Sequence, residues 1–113
     1  MVHEGTVISI DDESFTETIR NGITLVDFWA DWCTPCRMQT PILERLARRV
    51  SSEVKIRKLN VDKNPVIAGY YQITGIPSIF IFREGEVVKQ FIGVQNEEVL
   101  MSAIAKISRN EGE

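Results

Sequence analysis

The chain has 113 residues, a formal net charge of −3 and an ordinary share of hydrophobic residues, 43%. That length fits one small domain with a single core, and we predict that residues 1–113 form one domain. The slightly acidic composition lacks the basic footprint of nucleic-acid binders, and no apolar run approaches the roughly 20 residues that span a bilayer. We therefore expect no nucleic-acid partner and no membrane association.

The N-terminal residues lack the basic and apolar regions of a secretory signal, so we predict a cytoplasmic protein. Thiols in that compartment are kept reduced, which argues against a permanent disulfide. Nothing in the composition supports a stable oligomer, and a monomer is expected.

The predicted elements alternate between strands and helices from the start of the chain. Residues 6–10 alternate between apolar and polar and predict a strand, after which Asp11 or Asp12 can cap a short helix that stops near Gly22. Residues 23–30 predict a second strand that is apolar on both faces, as expected at the centre of a parallel sheet.

A long helix is predicted after the second strand and should end near Val50. Apolar side chains recur in it at four-residue spacing, which predicts a buried stripe. The members of this stripe are Met38, Ile42, Leu46 and Val50. Pro41 lies within the pattern and should kink the helix, because it removes one backbone donor.

The second half of the chain predicts a third strand, a short helix, a hairpin and a last helix. Residues 54–61 alternate as a strand, and Asn64 should cap the short helix. Two strands at 78–82 and 87–92 flank a hairpin turn, and Asn96 should cap the last helix. The order βαβαβαββα predicts an α/β fold with parallel early strands, an antiparallel hairpin and helices over both faces of the sheet.

The only two cysteines, Cys33 and Cys36, lie between the second strand and the long helix. Two thiols at the start of a helix can close into a disulfide and open again, which is a two-electron redox switch. Cys33 should lie at the N-cap, where unpaired backbone N–H groups and the helix dipole favour its thiolate. It would attack a substrate disulfide, and Cys36, one turn later and deeper, would then attack Cys33 and release the reduced substrate.

Three other interpretations of the cysteine pair stay open from the residues alone. A structural disulfide would close a loop so short that it stabilises the fold by only roughly 2 kcal/mol. A zinc site needs about four ligands, and the chain adds only His3 to the two cysteines. The pair could also be inert and always reduced.

Asp27 interrupts the apolar second strand, upstream of the cysteines. A buried carboxyl group responds by a raised pKa, so Asp27 could take the proton of Cys36 during resolution and return it on reversal. The alternative is an exposed, idle carboxylate at the end of a strand. Lys58, in the third strand, could pair with Asp27 or be a surface lysine that covers apolar area with its stem.

Aromatic and turn residues near the cysteines suggest a surface that contacts substrate. Trp29 fits core packing, whereas Trp32, beside Cys33, is the better candidate for a partly exposed contact with protein substrates. If the turn at Ile76 and Pro77 lies beside Cys33, the Ile76 backbone could pair with an extended substrate segment.

The segment that contains the cysteines, and its context along the chain, resemble the thioredoxin family. The match runs from about residue 6 to residue 107, and several independent motifs agree in order. These motifs are Val26-Asp27-Phe28-Trp29-Ala30, Trp32-Cys33-Thr34-Pro35-Cys36, Pro41, Lys58-Leu59-Asn60-Val61-Asp62, Asn64-Pro65, Gly75-Ile76-Pro77-Ser78, Gly85 and Gly93.

The resemblance implies a thioredoxin fold, in which a central mixed five-stranded sheet is flanked by four helices. It also implies that Cys33 is the exposed nucleophile and Cys36 the buried resolving thiol. Asp27 would be the buried acid and base, with Lys58 near it. The implied substrate-contact residues are Trp32, Thr34, Pro35, Ile76, the cis-proline Pro77 and Gly93.

The implied activity is the reduction of protein disulfides without a bound cofactor or metal. The redox group is then the disulfide between Cys33 and Cys36 itself. Electrons would come from an NADPH-dependent flavoprotein, thioredoxin reductase, and the other partners would be proteins that contain disulfides.

Two residues depart from the pattern of the family. Thr34 stands where the family usually has glycine, and Arg37 stands where it often has lysine. Residues between the cysteines adjust thiolate stability, so Thr34 should shift the reduction potential, and its hydroxyl could donate to the Cys33 sulfur or a nearby carbonyl. A thiol oxidant or isomerase is therefore one alternative function, and a binding subunit that works independently of redox state is another.

Overall fold

A computed structural model describes residues 6–110 of the chain. The elements are β1 (Ile8–Ile10), α1 (Phe15–Ile19), β2 (Ile23–Trp29), α2 (Thr34–Arg49), β3 (Lys55–Asn60), α3 (Pro65–Tyr70), β4 (Ser78–Arg83), β5 (Glu86–Ile92) and α4 (Glu97–Arg109). This confirms the predicted order βαβαβαββα. In the part of the chain that the structure describes, no helix combines the length and apolar character needed to cross a bilayer.

The five strands form one mixed sheet in the order β1-β3-β2-β4-β5. The strands β1, β3 and β2 run parallel, β4 is antiparallel to β2, and β5 is antiparallel to β4. The central strand β2 is buried along its length except at Trp29, which is partly buried. Its position explains the near-continuous apolar sequence, because helices cover both faces of a central strand.

Two hydrophobic clusters fill the two sides of the sheet. One joins the sheet to α2 and α4 and includes Leu46 and Leu100. The other joins it to α1 and α3 and includes Phe15 and Ile67. Helices therefore lie on both faces, as predicted, and the protein has the three-layer arrangement that the family resemblance implies.

The predicted buried stripe of α2 is partly wrong. Leu46 and Val50 are buried, but Met38 is 60% exposed and Ile42 is only half-buried. A helix turns about 100° per residue, so a strict four-residue spacing drifts by about 40° at each step and leaves the face it started on. The buried face follows the alternating spacing of three and four instead. Its members within the helix are Cys36, Gln39, Leu43, Leu46 and Ala47.

The predicted N-cap of α1 is wrong, because this position is Ser14, which makes no side-chain cap. Asn64 is at the N-cap of α3 and is followed by Pro65, as predicted, but its side chain makes no cap hydrogen bond. The Asp12 carboxylate instead accepts hydrogen bonds from the backbone N–H groups of Val66 (3.2 Å) and Ile67 (2.9 Å), in the first turn of α3. In return, the Asn64 side-chain oxygen accepts from the Asp12 N–H at 2.8 Å. The cap of α3 thus comes from the distant loop between β1 and α1.

The N-cap of α4 is as predicted. The Asn96 side-chain oxygen accepts a hydrogen bond from the Val99 N–H at 2.9 Å. The predicted hairpin is also confirmed, since Arg83 pairs with Glu86 across a turn in which Glu84 and Gly85 both have positive φ. Short-range signals therefore placed these two features correctly.

We predict that Asp12→Ala lowers the free energy of unfolding by about 1–2 kcal/mol, because two N–H groups at the start of α3 lose their acceptor. Denaturant unfolding followed by circular dichroism measures the change. The neighbouring Glu13→Ala, at an exposed position, is the control and should change stability by less than about 0.5 kcal/mol. Equal losses in both variants would contradict the capping role.

Candidate active site

The two cysteines form a disulfide at the N-terminus of α2. Cys33 is the N-cap in extended conformation, as predicted, and its Sγ accepts a hydrogen bond from the Cys36 N–H at 3.2 Å. Pro35 fits in the first turn because N–H groups there have no partner within the helix. The sulfur of Cys33 therefore lies where free N–H groups and the positive end of the helix dipole converge.

The expected difference in exposure between the two cysteines is not found in the disulfide form. Cys33 is 3% exposed and Cys36 is 1% exposed. Both pack with Ala30 in a small cluster, against Trp29, Val61 and Ile76. The expectation of an exposed Cys33 is thus wrong for this state, because the bond to Cys36 directs its sulfur into the cluster.

The turn before β4 lies at the disulfide and is bonded to the turn after β5. The Ile76–Pro77 peptide is cis, as the resemblance implies, and the Ile76 carbonyl oxygen lies 3.8 Å from Cys33 Sγ. The Gly93 N–H donates to the Pro77 carbonyl at 2.8 Å, and Gly93 has a φ of 92°. Apart from its two neighbours in the chain, no residue between positions 6 and 110 has an atom within 4 Å of the position a Gly93 Cβ would take, so this turn faces open space among the described residues.

Trp32 lies beside the disulfide and is 67% exposed. Its indole Nε1–H donates to a carboxylate oxygen of Asp62 at 2.8 Å, which fixes the orientation of the ring. Thr34 and Pro35 are also exposed. The hydrogen bonds described for residues 6–110 do not include the Thr34 hydroxyl, so the expected donation to the Cys33 sulfur is not seen.

Asp27 is 1% exposed, so it is not the exposed carboxylate that the sequence left open. It lies on the same face of β2 as Leu25, which packs in the cluster with α2. Among the described residues, its Oδ1 has no hydrogen-bond partner. Burial raises the pKa of Asp27 to about 7, while the positive charge of Lys58 acts in the opposite direction.

Lys58 is opposite Asp27 in the register of β2 and β3. Its ammonium lies 4.8 Å from the centroid of the Trp29 ring, where the face of the indole attracts a cation. Lys58 is partly buried, and its positive charge favours the ionised form of the Asp27 carboxyl group.

Two polar residues near the site were not among the predicted site residues. Asp62 holds the Trp32 ring, and Gln39 is fully buried one turn after Cys36. A signal for Gln39 was present, since a polar side chain three positions after Cys36 must share its buried face. Asp62 gave no comparable signal, because its partner is 30 positions away.

Metal ligation finds no support in the described part of the chain. Within residues 6–110, no three His, Cys, Asp or Glu side chains are placed to bind a metal ion together. His3, the third ligand considered for zinc, lies outside the described residues.

A disulfide between Cys33 and Cys36 at a helix N-terminus, beside a cis-proline turn, can exchange with other disulfides. The N-terminal N–H groups stabilise a thiolate on Cys33, and Cys36 lies within bonding distance of it. These features define a dithiol–disulfide oxidoreductase.

Comparison with known proteins identifies the family. A family model described as Thioredoxin matches residues 6–106. Thioredoxin of Staphylococcus saprophyticus subsp. saprophyticus is 40% identical over 100 residues, which cover 88% of this chain and 96% of that protein. Thioredoxin of Staphylococcus aureus is 38% identical over the same shares. The chain belongs to the thioredoxin family.

Solved structures agree with this assignment. A mutant thioredoxin from Halobacterium salinarum matches with a TM-score of 0.80 at 30% identity, over 94% of each chain. Thioredoxin from Malassezia sympodialis matches with a TM-score of 0.81 at 28% identity, also over 94% of each chain. The protein has the thioredoxin fold and is a thiol–disulfide oxidoreductase that reduces protein disulfides.

We predict that Asp27→Asn makes stability less dependent on pH. Between pH 3.8 and about 7 the folded protein holds a proton on Asp27 that the unfolded chain has lost, so stability falls as pH rises through this window. The full effect is on the order of 4 kcal/mol. The variant should therefore gain stability relative to the parent between pH 4 and pH 8.

Denaturant unfolding of the oxidised proteins at both pH values measures this effect. Glu44→Gln, an exposed position on α2, is the matched control and should follow the parent. If the stability difference between Asp27→Asn and the parent is the same at pH 4 and pH 8, the carboxyl group of Asp27 is ionised in the folded protein as well as in the unfolded chain, which contradicts the prediction.

Proposed function

We propose that Cys33 is the nucleophile and Cys36 the resolving thiol when this protein reduces disulfides. The observation that carries the proposal is the position of Cys33 at the N-cap of α2, with the Cys36 N–H donated to its sulfur. A thiolate at this place is stabilised by N–H donors and by the helix dipole, and the thiolate is the reactive form.

The reaction proceeds in two exchanges. The Cys33 thiolate attacks one sulfur of the substrate disulfide, forms a mixed disulfide and releases the first substrate thiolate. Cys36 then loses its proton, attacks the Cys33 sulfur and releases the second substrate thiolate. Two electrons pass to the substrate, and the protein is left with the disulfide described above.

Asp27 is proposed as the base that receives the proton of Cys36 and as the acid that returns it on reversal. Support comes from its burial on the α2 side of the sheet and from its pKa of about 7, which suits proton exchange near neutral pH. Lys58 is proposed to limit the rise of this pKa, because its charge favours the carboxylate.

The proposed substrate-contact surface surrounds the disulfide. The Ile76 carbonyl lies beside Cys33, and the open turn at Gly93 is bonded to Pro77, so we propose that an extended substrate segment pairs with this backbone. The exposed Trp32, next to Cys33 in the chain, offers an apolar face. The full set comprises Trp32, Thr34, Pro35, Ile76, Pro77 and Gly93.

The remaining proposals rest on the family. Electrons would come from NADPH through thioredoxin reductase, and the substrates would be proteins with accessible disulfides. We propose a monomer in the cytoplasm, with residues 1–113 as one domain. Turnover with a purified bacterial thioredoxin reductase and NADPH tests the electron source.

We predict that Cys36→Ser traps a mixed disulfide between Cys33 and a protein substrate, because the second exchange has lost its attacking thiol. Cys33→Ser should form no adduct and should lose activity to background. Non-reducing electrophoresis and mass spectrometry of the intact adduct measure both results. Fast multiple turnover by Cys36→Ser would contradict the resolving role.

We predict that Gly93→Asp raises the apparent KM for a protein disulfide by at least about fivefold, because the new side chain projects into the space proposed for substrate. Gly93→Ala is the matched control, since it also places a Cβ at a positive φ but adds neither the bulk nor the charge. Similar KM values for the two variants would show that substrate does not occupy this space.

A further inference from the structure

Gln39 is a fully buried amide in the second turn of α2, on the same helix face as Cys36. Its Nε2 donates to the Gln95 carbonyl at 2.9 Å, and its Oε1 accepts from the Gln95 N–H at 2.8 Å. Both ends of the amide therefore bind the backbone of one residue. This pair of hydrogen bonds ties α2 to the connection between β5 and α4.

Packing alone does not account for a glutamine at this position. Other buried positions of α2, such as Leu43 and Leu46, carry apolar side chains that pack with the sheet and α4. A buried amide is tolerated only when its donor and acceptor groups are paired, and Gln39 pairs with both backbone groups of Gln95. An apolar side chain would fill the same space but leave those two backbone groups without this partner. The amide is therefore best explained by what it fixes.

The segment that Gln39 fixes leads directly to the substrate-contact turn. The Gln95 side chain donates to the Gly93 carbonyl at 3.3 Å. The Gly93 N–H in turn donates to the Pro77 carbonyl at 2.8 Å. Residue Asn96, the next in the chain, is the N-cap of α4. A chain of hydrogen bonds thus runs from the cysteine-bearing helix, through Gln95, to the cis-proline turn.

We propose that Gln39 is a positioning residue, which fixes the Gly93 turn relative to the helix that carries Cys33 and Cys36. A polypeptide bound along this turn then presents its disulfide at the correct distance from Cys33. The inference rests on the proposed contact between substrate and Gly93. It adds that the contact depends on a buried side chain whose hydrogen bonds go to the backbone of Gln95.

This role predicts a difference between two classes of substrate. A polypeptide disulfide is held by the turn, so displacement of the turn weakens its binding. A small disulfide such as glutathione disulfide reaches Cys33 with far less contact to the surrounding surface. Loss of the Gln39 hydrogen bonds should therefore impair the first class and spare the second.

The test uses Gln39→Met, which nearly preserves the side-chain volume and removes both hydrogen bonds. Pre-reduced protein is mixed with increasing concentrations of insulin, which gives an apparent KM and a limiting rate, and separately with glutathione disulfide. We expect the KM for insulin to rise about five- to tenfold, the scale of one or two lost hydrogen bonds, with a limiting rate within about twofold of the parent. The rate with glutathione disulfide should stay unchanged.

Leu46→Ala is the control for a purely structural effect. It removes a fully buried side chain from the same helix, away from Gln95, and should lower stability without changing the KM. Amide hydrogen exchange gives a second measurement, since the Gln95 N–H should exchange at least about tenfold faster in Gln39→Met. An equal rise in KM for Leu46→Ala would overturn the positioning role.

The remaining outcomes separate this inference from the proposed function. An unchanged KM in Gln39→Met, together with a raised KM in Gly93→Asp, would overturn the inference and leave the substrate contact standing. Unchanged KM values in both variants would overturn both. Equal slowing with insulin and with glutathione disulfide would show that Gln39 affects the reactivity of the cysteines and not the binding of substrate, which also contradicts the inference.

Discussion

The site depends on the burial of β2 between two helical layers and two neighbouring strands. Because β2 pairs with β3 on one side and β4 on the other, every residue from Ile23 to Phe28 is removed from water. The same burial that stabilises its apolar residues disfavours the charge on Asp27 and brings its pKa near 7. Four residues beyond the carboxyl end of β2, Cys33 is the N-cap of α2. The burial of β2 thus both stabilises the core and sets the protonation behaviour of Asp27.

The site is assembled from segments that are far apart in the chain. The helix α2 contributes the cysteines, the turn before β4 contributes Ile76 and Pro77, and the turn after β5 contributes Gly93. The hydrogen bond between the two turns joins two backbone groups, the Gly93 N–H and the Pro77 carbonyl. Such a contact depends on the path of the chain more than on side-chain identity, which suits a surface that meets substrates of varied sequence.

Local signals in the sequence predicted most of the fold and the residues at the centre of the site. The alternation in the strands, the N-cap role of Cys33 and the carboxyl group of Asp27 inside an apolar strand are all readable over a few positions. The cap of α3 by Asp12 was missed because donor and acceptor lie 54 and 55 positions apart. The partner of Gln39 was missed for the same reason, since Gln95 lies 56 positions away. The burial of Cys33 was missed for a different reason, because it depends on the disulfide state, in which the bond to Cys36 directs its sulfur into the small cluster.

The long-range cap of α3 has a consequence for how the chain acquires its structure. A helix of six residues has little stability by itself, and the first turn of α3 has no side-chain cap of its own. During synthesis the chain emerges from its N-terminus, so Asp12 leaves the ribosome long before the helix it serves. Because β1, among the described strands, pairs only with β3, the strand directly before α3, the loop that carries Asp12 gains its place in the sheet only after β3 has been made. The start of α3 is therefore completed by the tertiary fold and not by its own sequence.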